Sequence, residues 1–180
     1  MTRTHRARRL RRTRGVTIIE ALVSLAILTI GATGMVGMHR QSQVYLGDSL
    51  RMVRATTVAQ DLIAQIETWS YDDPRLANST AANDADLGDT AYAFATQATP
   101  PADHAEADLT AGGLTWNGLP RSVLENNGME RFWNVSYTDD QNGNAVPDAV
   151  RVAVIVRWPQ GAGWRRVVFV TVKPNPAEAQ

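Results

Sequence analysis

Apolar positions recur along this chain in three rhythms. From Val16 to Met38 almost every residue is apolar or small, the exceptions being threonines, a serine and one acid, Glu20. At about 1.5 Å per residue, 23 such residues make roughly 34 Å of helix, enough to cross a bilayer core of about 30 Å. From Leu46 the pattern becomes helical and one-sided. Leu46, Leu50, Val53, Val58, Leu62, Ile66 and Trp69 recur mostly at three- and four-residue steps, with Arg51, Arg54, Gln60, Asp61 and Glu67 between them. No proline interrupts Val16 to Asp73, so one long helix is expected, ending near Ser70 ahead of Asp72-Asp73-Pro74. Its later half should pack on a sheet.

The third rhythm lies near the C-terminus. Arg131–Tyr137, Val150–Trp158 and Trp164–Val172 are β-branched and aromatic runs bounded by turn residues, Pro159 to Gly163 among them. They read as three strands, and their short connections make them antiparallel neighbours. Trp158 and Trp164 bracket the last hairpin and read as hairpin core. Pro174 and Pro176 end the last strand. Between helix and strands, residues 71–127 are rich in Ala, Asp, Thr, Gly and Asn, with Pro100-Pro101 and Gly112-Gly113 as breakers. Two short apolar pieces, Ala91 to Ala95 and Leu114 to Trp116, read either as strands or as residues that tack a loop down. The expected order is a basic leader (1–15), a membrane half-helix (16–38), an amphipathic half-helix (39–70), a loop region (71–127), a sheet (128–174) and a tail (175–180). The fold class is α+β, a long N-terminal helix on a C-terminal antiparallel sheet.

Charge changes this picture at one end only. The net charge of the 180 residues is zero, yet residues 1–15 hold seven arginines and no acid. The remainder has 11 basic and 18 acidic residues, a formal net of −7. A basic arm alone would suggest nucleic acid. Directly ahead of an apolar helix it instead holds that end in the cytoplasm, which leaves the globular part outside and no nucleic-acid partner. The chain has no cysteine, so an exported domain must rely on its core rather than on disulfides.

Two features of the apolar stretch need a reason. An ionised carboxylate in a membrane helix is costly, by about 2.5–3.5 kcal/mol at the bilayer centre and less near the headgroups. Glu20 therefore either reaches the interface from the first turn or awaits a cation inside an apolar assembly. A secretory cleavage site normally follows the apolar core, whereas here the charged flank ends in Gly15, before it. Gly15, four residues, Glu20 and a long apolar helix resemble the class III signal of type IV prepilins and pseudopilins. The resemblance implies a pilin-like fold and cleavage between Gly15 and Val16 by a membrane prepilin peptidase. It further implies methylation of the new amine and pairing of Glu20 with the N-terminal amine of a neighbouring subunit. Val16 stands where that family usually has Phe or Met, which leaves methylation less secure than cleavage.

Gly31, Gly34 and Gly37, followed by His39-Arg40-Gln41, resemble the minor pilins of the type IV pilus modification (PilV-type) family. Read from the residues alone, three glycines at this spacing either bare a helix face for close packing or merely loosen the helix end, at up to about 1 kcal/mol each. The resemblance implies a minor pilin in a priming or tip complex that supports pilus assembly, motility or adhesion. Its partners would be other minor pilins, the major pilin, the prepilin peptidase and the inner-membrane assembly platform. Its place would be the bacterial inner membrane, single-pass with a periplasmic head, and then the pilus. A pseudopilin of a type II secretion system shares the same signal and is the alternative. A signal-anchored binding domain that keeps its leader is the third reading.

The remaining chemistry is sparse. Asp140, Asn142, Asn144, Val146 and Asp148 place oxygens at alternate positions, a spacing that resembles the calcium loops of EF-hand and thrombospondin-type repeats. Ala145 replaces the turn glycine and Arg151 stands where a closing glutamate belongs, so a polar hairpin loop explains the same residues. Calcium is the one cofactor the sequence suggests. His5, His39 and His104 have no evident catalytic neighbours, and no phosphate loop, zinc spacing or dinucleotide fingerprint occurs. An enzyme is not expected.

Overall fold

A computed structural model describes residues 15, 17–80, 82–138 and 147–177. Two compact units divide at Leu46 and Gly47. Helix α1 runs Ile18–Thr68, 51 residues. The most apolar 18-residue window of this helix is 0% buried among the described residues.

The second unit is built on the last turns of α1. Ala55, Val58, Ala59, Leu62 and Ile66 are buried, at the spacing of one helical face. Leu46, Leu50 and Val53, expected on the same stripe, are 55%, 58% and 63% exposed. The five-residue step from Val53 to Val58 turns the helix by about 140°, which carries the earlier residues to its far side. The head-facing stripe therefore starts with a small residue, Ala55.

Four antiparallel strands form one sheet in the order β1 (His104–Ala105), β2 (Glu130–Thr138), β3 (Ala149–Gln160) and β4 (Gly163–Pro174). The three long strands lie where the alternation placed them; β1, two residues inside the loop region, was not foreseen. Trp133, Val135, Val150, Val152, Val154, Val156 and Trp158 join the α1 stripe and Trp69 in one core. Each such side chain stabilises by about 1.5–3 kcal/mol.

The opposite face of the sheet is covered as well, since Ala153, Ile155 and Arg157 on β3 are also buried. Its cover comes from the loop region. Ala91 to Ala95 is no strand: Ala93–Thr96 is a short helix, α2, and Phe94 stacks edge-on against Phe132 at 5.4 Å. Leu114 to Trp116 has no strand pairing either; the Trp116 Nε1–H donates to Leu119 O at 2.8 Å and tacks the loop down. A five-residue helix, α3 (Arg121–Glu125), leads into β2. Trp158 is in the core facing α1, but Trp164 is opposite Pro159 in register and lies under the Arg157 guanidinium at 4.1 Å. The two tryptophans thus serve opposite faces, not one hairpin core.

The loop region is held by buried ions that composition did not reveal. Arg75 forks onto Asp73 at 2.7 and 2.8 Å, donates to Thr115 O at 3.1 Å, and lies 4.0 Å over Trp69. Arg131 reaches Glu106 at 2.9 and 3.0 Å and Asp61 of α1 at 3.5 Å. Arg157 reaches Glu130 at 2.7 Å and the carbonyls of Gln97 and Ala98 at 2.8 and 2.9 Å. Asp103 accepts from the N–H groups of Ser79, Thr80 and Val135. The Arg75 hydrogen bonds hold the Asp73 carboxyl below its ordinary pKa, whereas burial pushes Glu106 upward despite its arginine.

Candidate functional site: the start of the N-terminal helix

Gly15 lies ahead of α1 in no regular structure and is exposed. A Cβ added there would meet nothing within 4 Å, so the fold makes no demand for glycine at this position. Val16, the other side of the expected cut, lies outside the described residues. Thr17 caps the helix: its Oγ1 accepts the N–H of Glu20 at 3.2 Å, and its carbonyl accepts the N–H of Ala21 at 3.1 Å. Thr17-Ile18-Ile19-Glu20 is the sequence pattern of a capping box, with the acid at the third helical position. That pattern fixes Glu20 one residue short of a full turn from the helix start, where unsatisfied N–H groups and the helix dipole favour a negative charge. The threonine was the informative neighbour of Glu20, and its spacing was legible in the sequence.

Glu20 is exposed, and so is the apolar surface around it: Ile18 is 82% and Ile19 74% exposed. Further along, Gly31 and Gly34 line a shallow groove of about 650 Å³ with Ile30, Met35, Met38, His39 and Ser42. A Cβ at Gly31, Gly34 or Gly37 would meet no other group within 4 Å. These glycines therefore cost helix stability without serving any packing inside the chain.

Residues 10–36 match the prokaryotic N-terminal methylation motif. This motif is the class III signal of type IV pilins and pseudopilins, and it supports placing the chain with them. It implies pilin partners and prepilin peptidase processing in general and, with the long apolar helix, membrane anchoring and association with a pilus. It points to a structural protein rather than an enzyme. No curated protein and no solved structure matches the chain significantly. The match ends at Val36, so the methylation motif speaks for the helix start and not for the head.

The expected calcium loop is not brought into view. Asp140, Asn142, Asn144 and Val146 lie outside the described residues. Asp148 stands at the base of that loop, where its N–H donates to Thr138 O at 2.8 Å and its carbonyl accepts from the Asn175 N–H at 2.7 Å. Among the described residues no group of three or more His, Cys, Asp or Glu could hold a metal ion. His104 is engaged structurally, stacked on Trp133 at 5.2 Å and hydrogen-bonded through Nε2 to Ala77 O at 2.7 Å.

Proposed function

We propose that this chain is a minor pilin, cleaved after Gly15 and inserted once in the inner membrane with its head outside the cytoplasm. It would work in a priming or tip complex of a type IV pilus. The observation that carries the reading is the methylation motif over 10–36 set on a helix whose most apolar window is 0% buried among the described residues. In this reading α1 leaves lipid for a bundle of like helices. Glu20, fixed at the helix start by Thr17, then pairs with the amine of a neighbour's first residue, and the pairing offsets the cost of desolvating both charges. The glycine groove accepts a close helix, which explains glycines that do nothing for the chain alone. The Gly31-Gly34-Gly37 spacing, similar to the pilus modification family, favours the pilus over a type II secretion system, whose pseudopilins share the motif.

Intact mass and N-terminal sequencing of the protein from native membranes test the first step. A chain beginning at Val16, with or without a methyl group, is the expected result; a chain that retains residues 1–15 would return it to the signal-anchored class. Deletion then separates the two assemblies, since loss of pili with secretion intact supports a minor pilin and the reverse supports a pseudopilin.

A further inference from the structure

The two edges of the sheet are finished differently. On the β2 side, β1 pairs with Phe132 and Trp133, and the Asp103 carboxylate takes the outward N–H of Val135 at 2.7 Å. That edge is closed. On the other side, β4 pairs with β3 without a bulge from Gly163 to Pro174, and among the described residues no strand lies beyond it. The turn closes at Gln160 opposite Gly163, and Asn175 N–H donates to Asp148 O at the far end. Alternation between these ends turns the backbone groups of odd-numbered residues toward β3 and those of even-numbered residues outward. Loop-region groups reach the hairpin end, where Arg166 pairs with Asp89. Val170 and Val172 beyond it are 51% and 56% exposed.

Natural sheets protect such an edge with charge, proline or a bulge. Here Val167 to Val172 has none of these. The cations of β4 that could serve are engaged with other groups of the head: Arg165 with Asp48 at 3.0 Å, Arg166 with Asp89, and Lys173 with the carbonyls of Ile66 and Glu67 at 3.2 and 3.0 Å. We propose that this edge receives a strand from a different subunit of the assembly, an extended segment of five or six residues. It would be apolar at alternate positions over Val168, Val170 and Val172, and acidic at the end that lies by Val172. The acid follows from charge: β3 and β4 hold no acid, and Arg151, opposite Val172 in register, is exposed, whereas the other four cations of these strands are engaged within the head.

A second copy fits less well. Its opposite edge is closed, and its own β4 has no acid to offer Arg151. This inference rests on the reading of the chain as an assembly subunit.

The test is amide hydrogen exchange on the full chain, in native membranes and after purification alone in detergent. Addition of a strand slows the amides of Val168, Val170 and Val172 at least tenfold in the membrane sample, while Val167, Phe169 and Thr171 are slow in both. Val170→Lys should abolish the difference at the even-numbered amides and leave the odd ones slow, which shows a folded sheet; Val170→Thr should preserve it. Equal exchange of the even amides in both samples overturns the proposal. Protection that rises with concentration in the purified chain overturns the choice of partner in favour of self-pairing. Leader cleavage, read separately by mass, reports on the assembly reading, because the exchange comparison holds for a processed or an unprocessed chain.

Discussion

Helix α1 contains two apolar surfaces that face the same physical problem and resolve it differently. Leu62 and Ile66 are fully buried against the sheet, so their transfer out of water occurs within the chain. Leu25, Leu28 and Ile30 are 59%, 67% and 75% exposed on a stretch apolar on every side. One surface is completed by folding and the other only by lipid or a partner. The difference also governs the glycines. Gly118 of the head is hemmed in, with a Cβ placed 2.2 Å from the Trp116 ring and 2.5 Å from Asp61 Oδ2, whereas Gly31, Gly34 and Gly37 face open space. Gly118 is explained by the packing of the head itself, whereas nothing within 4 Å accounts for Gly31, Gly34 and Gly37.

The comparison breaks most visibly at a buried ion. Arg131→Ala leaves Glu106 and Asp61 without their shared cation and should cost about 3–5 kcal/mol; chemical denaturation of the head would measure it, and leader cleavage should be unchanged. A matched pair of truncations sharpens the contrast. Leu62→Ala should destabilise the head by about 2–5 kcal/mol, while Leu28→Ala should leave its unfolding midpoint alone and reduce assembly instead. Equal effects on head stability would erase the division between the two surfaces. Gly118→Ala should cost about 1–3 kcal/mol by overpacking, and Gly34→Ala should have no effect on the head while lowering pilus number.

Acid gives a smaller effect with a defined sign. Ionised Asp73 is stabilised in the fold by Arg75, so its folded pKa lies below the unfolded one. Its contribution is present above the unfolded value and is lost as pH falls through the lowered one. Asp73→Asn should flatten the loss of head stability in that acid range, as thermal melts against pH would show. The smallest effect concerns calcium at the Asp140–Asp148 loop. At 1 mM calcium, an extracellular-type site of about 0.1–1 mM affinity would add about 0.4–1.4 kcal/mol, and an unchanged melting temperature at millimolar calcium would dismiss it.

The sequence was most informative where one local rule decides the outcome. An unbroken apolar run must be a membrane-length helix, residues 10–36 carry the methylation motif, and β-branched alternation makes Val150–Trp158 a strand. Each depends on residues a few positions apart. Residues 71–127 were opaque because their order comes from distant partners: Arg131 on β2 finds Glu106, Arg157 on β3 finds the carbonyls of Gln97 and Ala98, and Asp103 finds Val135. Composition records such residues as ordinary polar ones. The phase of the α1 stripe was likewise settled by packing, since Val53 and Val58 look equivalent in the sequence but lie about 140° apart around the helix, one exposed and the other buried. The sequence by itself determined a long apolar helix that carries the methylation motif. Only the tertiary structure decided which face of that helix the head covers and which sheet edge it leaves open, because both follow from contacts between residues far apart in the chain.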